Sequence, residues 1–292
     1  KALPQEEEAP GEQLPPELAA ASETNYFKDI SNVYTLLTVE PIEMEFGYSL
    51  IPLVDESSGG KLISRIVIFR RQYAQDMGFV IPSIRLHDGA SLGTNQYIIR
   101  IRGEEVARGE ILVDYYLALE PPNPGGEIDG IETIEPAYGI PSRWILPENK
   151  EMAEIYGYTV ISPLTVMLTH LSETIKKHAY ELLGRTETMQ LVEHLKQTEP
   201  ELVADAIPNV VSYGVLEKIL RALLKEGIPI RDLGLIMEAI VDAGPNQNVD
   251  TVTEQIRGRL SRTITRRFCD NGQLRVVTLD AEVEKKILAA LT

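Results

Sequence analysis

Apolar positions along this chain recur with two different periods. Leu62, Ile66, Phe69, Tyr73 and Met77 are spaced by three or four, which places them on one face of an amphipathic helix over 61–77. Before it, "IEMEFGYSLIPLVD" (42–55) alternates and predicts a strand ended by the turn "ESSGG" at 56–60. After it, "VIPSIRLHD" (80–88) reads as a strand and "GASLGTN" as a loop. "QYIIRIRGEEVARGEILVD" (96–114) reads as a hairpin turning at Gly103. The first domain is therefore mixed α+β.

The texture changes over 114–162. "EPPNPGGEIDG" (120–130) is a loop by its Pro, Gly and Asn content. "IETIEPAYGIPSRWI" (131–145), a short helix near 148–156 and the strand "YTVIS" follow. The clearest helix comes next, with Ser162 as N-cap and Pro163 at its first position. Its stripe is Leu164, Met167, Leu168, Leu171, Ile175, Ala179 and Leu182, and Gly184 is expected to stop it. Helical patterns then occupy 186–197, 212–226 (Ser212 as N-cap), 231–243 (ended by Gly244 and Pro245) and 249–267. "GQLRVVTLDAEVEKKILAALT" (272–292) predicts a strand and a helix. Such a pair leaves apolar faces uncovered and is expected to be an incomplete terminal domain.

The front of the chain has no such periodicity. Residues 1–24 carry Glu6, Glu7, Glu8, Glu12, Glu17 and Glu23 among four prolines, too little apolar surface to offset the entropy of ordering. They are expected to be a flexible linker behind a further domain. Tyr26, Phe27, Val33, Tyr34, Leu36 and Leu37 make 25–40 more apolar and suit a short docking helix.

Length and charge narrow the picture. A chain of 292 residues exceeds one small core and favours two or three domains. No run of about eighteen apolar residues is present, so nothing in the sequence suits a transmembrane helix. A net charge of −16 argues against broad contact with nucleic-acid phosphate and favours partners with basic patches. The single cysteine, Cys269, excludes an internal disulfide and a cysteine-rich zinc site, and suits a reducing compartment.

Catalytic patterns are scarce. There is no nucleophile elbow, zinc-binding HExxH pair, P-loop or dinucleotide fingerprint. His170 and His178 lie eight apart on one helix, too far to share a metal; with His87 and His194 they read as structural. Cys269, beside Arg266 and Arg267, has no partner base nearby and reads as an inert thiol. Neither a cofactor nor a metal is expected, and the chain reads as a non-enzyme. The competing enzymatic reading is a hydrolase whose interdomain site would use Glu135, His170 and Arg70.

Several longer stretches carry a resemblance. "EFGYSLIPLVD" (45–55), "RRQYAQDMGFVIPSIRLHD" (70–88), "YIIRIRGEEVARGE" (97–110), "VEHLKQTEPELV" (192–203), "VLEKILRALLKEGIPIRDLGLIMEAIVD" (215–242) and "GRLSRTITRRF" (258–268) resemble the cytoplasmic region of the FlhA family, the export-gate proteins of bacterial flagellar type III secretion. The resemblance runs from about Pro41 to the end, and its details look flagellar, with an injectisome export gate as the alternative. It implies an α+β multidomain fold. An α/β first domain (41–113 and 163–183) is interrupted by a small ferredoxin-like domain (114–162). An all-helical domain (184–262) and a partial C-terminal α/β domain (263–292) follow.

The resemblance also implies a function without catalysis. The cytoplasmic part would form a nonameric ring below the membrane gate, at the cytoplasmic face of the bacterial inner membrane. It would receive flagellar export chaperones carrying late substrates and communicate with components of the export ATPase complex. The matching chaperone-binding residues here are Glu135, Pro136, Ala137, Tyr138 and Gly139, with Thr169 on the return helix and the basic pair Arg70 and Arg71 as secondary candidates. Pro136 would fix the loop, Tyr138 would present an apolar anchor, and Glu135 at the rim would select by charge, whereas Trp144 is expected in the core. Tyr34, Leu36 and Leu37 would reach a neighbouring subunit, the isolated fragment being monomeric.

Overall fold

The computed structural model describes residues 33–55 and 59–291. It divides into two units, 1–40 and 41–292. In the first, Tyr34–Leu37 forms one 3-10 turn with Tyr34 and Leu37 exposed. The side chain of Leu36, the linker expectation for 1–24 and the aromatic pair Tyr26 and Phe27 lie outside the described residues.

The second unit begins with a four-stranded sheet. Its strands are β1 (Ile42–Phe46), β2 (Ile84–Asp88), β3 (Gln96–Ile101) and β4 (Glu104–Glu110), in the order β2-β1-β3-β4. β1 and β2 run parallel, so their connection must cross over; it does so through helix α2 (Leu62–Met77), which follows the short α1 (Ile51–Val54). Alternation sends Ile42, Met44 and Phe46 of β1, and Tyr97, Ile99 and Ile101 of β3, into one core. The β3–β4 hairpin turns on Arg102 (φ 51°) and Gly103 (φ 83°), the two left-handed positions of a type I′ turn. On α2 the expected stripe is in place: Leu62, Ile66, Tyr73 and Met77 are buried, and Phe69 packs against Tyr73.

Two expectations for this region do not hold. The strand predicted over 42–55 ends at Phe46, and the chain then turns into 3-10 and α-helix. Gly47 packs so closely on the loop below that a Cβ would lie 2.1 Å from the Gly93 carbonyl oxygen. Its N–H donates to Gln96 O (2.7 Å), Ser49 N–H donates to Thr94 O (3.1 Å), and Pro52 sits in the first turn of α1. The strand predicted from Val80 begins only at Ile84, where β1 is available to pair.

A second sheet is built from β5 (Tyr116–Leu119), β6 (Ile131–Ile134), β7 (Pro141–Ile145) and β8 (Thr159–Ile161), antiparallel throughout in the order β6-β7-β5-β8. With α3 (Lys150–Ile155) between β7 and β8, its connectivity is β-α-β-β-α-β with the loop 120–130 in place of the first helix. One face carries Ala118 and Ile145, which pack with Ile128, Ala153 and Tyr158 into a small separate core. The other carries Leu117 and Trp144, which join the main core, so Trp144 is buried as expected.

Helix α4 (Pro163–Leu182) is the spine of the molecule. Ser162 caps it by accepting from Thr165 N (3.3 Å). It packs against α2, β3, β4 and β5 on one side and α7 on the other. Gly184 does not stop it in a left-handed turn; Leu183 is the cap, and Gly184 starts α5, its N–H donating to Glu187 Oε2 (2.9 Å). The helical array comprises α5 (Arg185–Lys196), α6 (Pro200–Ala206), α7 (Tyr213–Lys225), α8 (Leu233–Ala243), α9 (Val249–Arg259) and α10 (Ser261–Phe268). α6 was not expected, and the helix expected over 249–267 divides at Leu260, past Gly258, where the backbone leaves helical geometry (φ −83°, ψ 9°). The array is tied to the first sheet's layer where Ile230 N–H donates to Met77 O (2.8 Å).

The strand expected near 272–280 does not form. Beyond the bridge between Asp270 and Gln273, the chain finds no partner strand among the described residues and stays irregular until α11 (Ala281–Leu291). A lone strand leaves every ladder hydrogen bond unmade, so apolar alternation alone cannot hold one. Leu274, Val276, Val277 and Leu279 are all exposed.

Candidate functional site

The residues singled out in "EPAYG" form the turn joining β6 to β7. Glu135 N–H donates to Ile140 O (2.8 Å) and Gly139 N–H donates to Glu135 O (2.9 Å), closing the loop. Gly139 has φ 71°, a conformation that costs glycine little and other residues about 1 kcal/mol or more. The Glu135 carboxylate turns inward: Oε1 accepts from Ala137 N (3.0 Å) and Oε2 from Tyr138 N (2.7 Å). Glu135 is only 2% exposed. This overturns the expectation that it stands at the rim and selects by charge, because two backbone amides claim both of its oxygens. Tyr138, held above it, is 62% exposed. Partial burial and then the neighbouring Glu173 carboxylate push its phenol pKa up.

Beneath the loop lies a buried polar pair. The Tyr97 hydroxyl is 2.7 Å from His170 Nδ1, and both side chains are buried. Burial, with the Glu135 charge second, raises the Tyr97 pKa far above the phenol range, so this hydroxyl keeps its proton and donates. Burial lowers the His170 pKa, the Glu135 charge opposing it, and the neutral ring accepts at Nδ1. Gly109 on β4 makes room, since a Cβ there would fall 2.4 Å from the Tyr97 hydroxyl oxygen.

The loop forms one wall of a cleft of about 930 Å³. Pro136, Ala137 and Tyr138 face His170, Glu173 and Thr174 of α4 across it. Arg108 of β4 and Asp76 near the end of α2 line another side. The far end is formed by Lys225, the last residue of α7, by Glu226 after it and by Arg267 of α10, nearly 130 residues from the loop in sequence. No local pattern signals that last wall.

The other expected site residues lie elsewhere. Thr169, half-buried, is one turn before Glu173 on α4 and does not line the cleft. Arg70 donates from Nε and Nη2 to Ile81 O (3.0 and 2.8 Å), holding the chain after α2, and Arg71 is exposed; neither lines the cleft. Glu135, His170 and Arg70 therefore do not converge on one point. On the first sheet, Glu43, Glu45 and His87 bring potential ligand atoms within 4.8 Å of one another, but Arg100 already pairs with Glu45 there. Apolar exposure continues from Tyr138 onto β6, an edge strand, where Ile131 and Ile134 are open to solvent. Their place on an edge was not legible in the sequence.

A model of the FHIPEP family matches residues 2–292. The chain is 46% identical over 272 residues to the flagellar biosynthesis protein FlhA of Bacillus subtilis (strain 168), covering 92% of this chain and 40% of that protein. It is 38% identical over 254 residues to FlhA of Escherichia coli (strain K12), covering 86% of this chain and 37% of that one. It thus spans well under half the length of these curated relatives. Among solved structures, CdsV of Chlamydia pneumoniae superposes with a TM-score of 0.75 at 27% identity, covering 86% of this chain and 75% of CdsV. The cytosolic domain of EscV, solved as a nonamer, shares the fold with a TM-score of 0.65 at 19% identity, covering 87% of this chain and 74% of that one. The chain belongs to the FHIPEP family.

Proposed function

We propose that this chain, as a member of the FHIPEP family, is the docking platform of a flagellar type III export gate, and that Tyr138 is the anchor on which export chaperones with their late substrates are received. The observation that carries the reading is a largely exposed aromatic ring on a backbone-locked turn at the edge of a large cleft. An exposed tyrosine costs little conformational entropy to bury, and covering its ring contributes roughly 2–3 kcal/mol. Rigidity adds to this, because Glu135 holds the loop before the partner arrives. The loop residues Pro136, Ala137 and Gly139 belong to the same surface by family resemblance, whereas Thr169 stands outside the cleft.

The flagellar branch is favoured over the injectisome by 46% identity to a flagellar FlhA against 27% to CdsV. The reading is of a protein that binds and does not catalyse. Its support is that the groups an interdomain hydrolase would need are engaged elsewhere: the Glu135 oxygens by amides, His170 by Tyr97 and Arg70 by a carbonyl. Among the described residues no helix is long and apolar enough to cross a membrane. The chain would lie at the cytoplasmic face of the inner membrane as part of a longer protein. Assembly into a nonameric ring and contact with the export ATPase complex belong to the same proposal, with Tyr34, Leu36 and Leu37 reaching a neighbouring subunit.

The test is Tyr138→Ala titrated calorimetrically against each flagellar export chaperone, alone and cargo-loaded. Affinity should fall about 30- to 150-fold, with the melting temperature within about 2 °C of the parent. Unchanged affinity, or a collapse of stability equal to the loss of binding, would refute the anchor.

A further inference from the structure

The cleft has a second character that its apolar anchor does not explain. In a chain of net charge −16, it is lined by Arg108, Lys176, Lys177, Lys225 and Arg267 against only Asp76, Glu173 and Glu226. Two of those acids are already neutralised: Glu226 by the fork of Arg257, and Glu173 by Lys176 (2.7 Å). Arg108 is likewise spent on Glu105 (2.9 Å). Lys177, Lys225 and Arg267 are exposed and take part in no ion pair among the described residues. Lys225 rests over the Tyr180 ring (5.6 Å), and Arg267 lines the cleft together with Tyr73 and Gly227.

The basic character continues past the cleft. A second cavity of about 630 Å³ shares Asp76 and Arg267 with the first and adds Arg231 and Arg266, with Asp232 as its second acid. Those two arginines also form no ion pair among the described residues. The result is a band of five unpaired cations, interspersed with Asp76 and Asp232, that lines two adjoining cavities from the α4 side of the Tyr138 cleft, past the end of α7, to α10. Like charges held together repel, and a folded chain with an excess of acids could pair them internally. These remain open.

We propose that this band binds an extended, carboxylate-rich segment of the same protein partner that docks on Tyr138. The inference rests on the platform reading for the identity of that partner. Lys177 and Lys225 supply compact point charges, and Arg231, Arg266 and Arg267 supply guanidinium forks matched to carboxylates. Rim charges of this kind speed encounter and fix register, so the band steers the partner while Tyr138 anchors it.

The experiment uses the full 292-residue chain. The probe is a fluorescein-labelled peptide of about ten residues, mostly Glu with one central Leu, and its comparison is the same peptide with Gln for every Glu. The cleft variant is Lys177→Glu with Arg267→Glu. The control is Arg65→Glu with Lys218→Glu, which changes net charge equally at exposed positions outside both cavities. The Glu peptide should bind by anisotropy and weaken with added salt, and the Gln peptide should not bind. The cleft variant should weaken binding about tenfold or more and the control less than about twofold.

Equal binding of the Gln peptide, or equal losses in the cleft and control variants, would overturn the proposal. A peptide of residues 1–24 that displaces the probe more tightly would also overturn it, assigning the band to the chain's own acidic front. The two proposals fail separately. Tyr138→Ala should leave Glu-peptide binding intact; if it also leaves chaperone docking intact, the platform reading falls while the acidic groove stands.

Discussion

Glu135→Gln tests whether the anchor loop is held from within. In the parent, one carboxylate accepts two amides, Ala137 N at 3.0 Å and Tyr138 N at 2.7 Å, in a residue 2% exposed. Hydrogen bonds to a charged group contribute about 1.5–3 kcal/mol each, so the pair holds the turn closed by about 3–6 kcal/mol. Glutamine keeps one acceptor oxygen but turns an NH2 toward the other amide, removing one bond and leaving a buried donor facing a donor. The closed turn should lose about 2–3 kcal/mol, or roughly 30- to 150-fold in its closed-to-open ratio. Amide hydrogen exchange read at Ala137 and Tyr138 should accelerate by that factor, while core amides such as Ile99 change less. Chaperone affinity should fall by no more than the loss of closed turn, since the apparent dissociation constant scales inversely with the competent fraction. Exchange at both amides left unchanged while chaperone binding is lost would refute the reasoning, because Glu135 would then act on the partner directly.

Three further expectations follow from other parts of the fold. Gly78→Ala should destabilise by about 2–4 kcal/mol in urea, because Gly78 sits at φ 73° and a Cβ would meet Arg231 Cα at 2.1 Å; a loss under about 1 kcal/mol would show that the α2–helical-array junction yields freely. Trp144→Ala should cost about 3–5 kcal/mol, and the parent's single-tryptophan emission should be blue-shifted and poorly quenched by acrylamide. The lowered His170 pKa has a definite sign. As pH falls below about 6.5 the unfolded chain takes up the proton first, so stability present above that value is lost toward the lower folded pKa. His170→Gln, which can still accept from Tyr97, should lack this component; parallel melting curves for both proteins from about pH 7.5 to 5 would contradict it.

Much of the architecture was written locally. The stripe Leu62, Ile66, Tyr73 and Met77 and the caps Ser162 and Ser212 are visible because helix period and N-cap chemistry involve residues three or four apart. The stretch 131–145 was not legible in this way: β6, β7 and the turn between them emerge only in the structure. Tertiary structure decided the rest. An acid before a proline reads the same whether it faces solvent or captures two amides, and only the folded turn shows that Glu135 faces inward. Arg70 was a candidate for the binding cleft, but the chain after α2 brings the Ile81 carbonyl to it. The alternation at 272–280 signalled strand, yet a strand needs a neighbour's hydrogen bonds, and none arrives among the described residues. The cleft itself joins Tyr138 to Arg267 across much of the chain. Sequence records which faces are apolar over a few residues; which distant group covers or charges each face is set by long-range contacts.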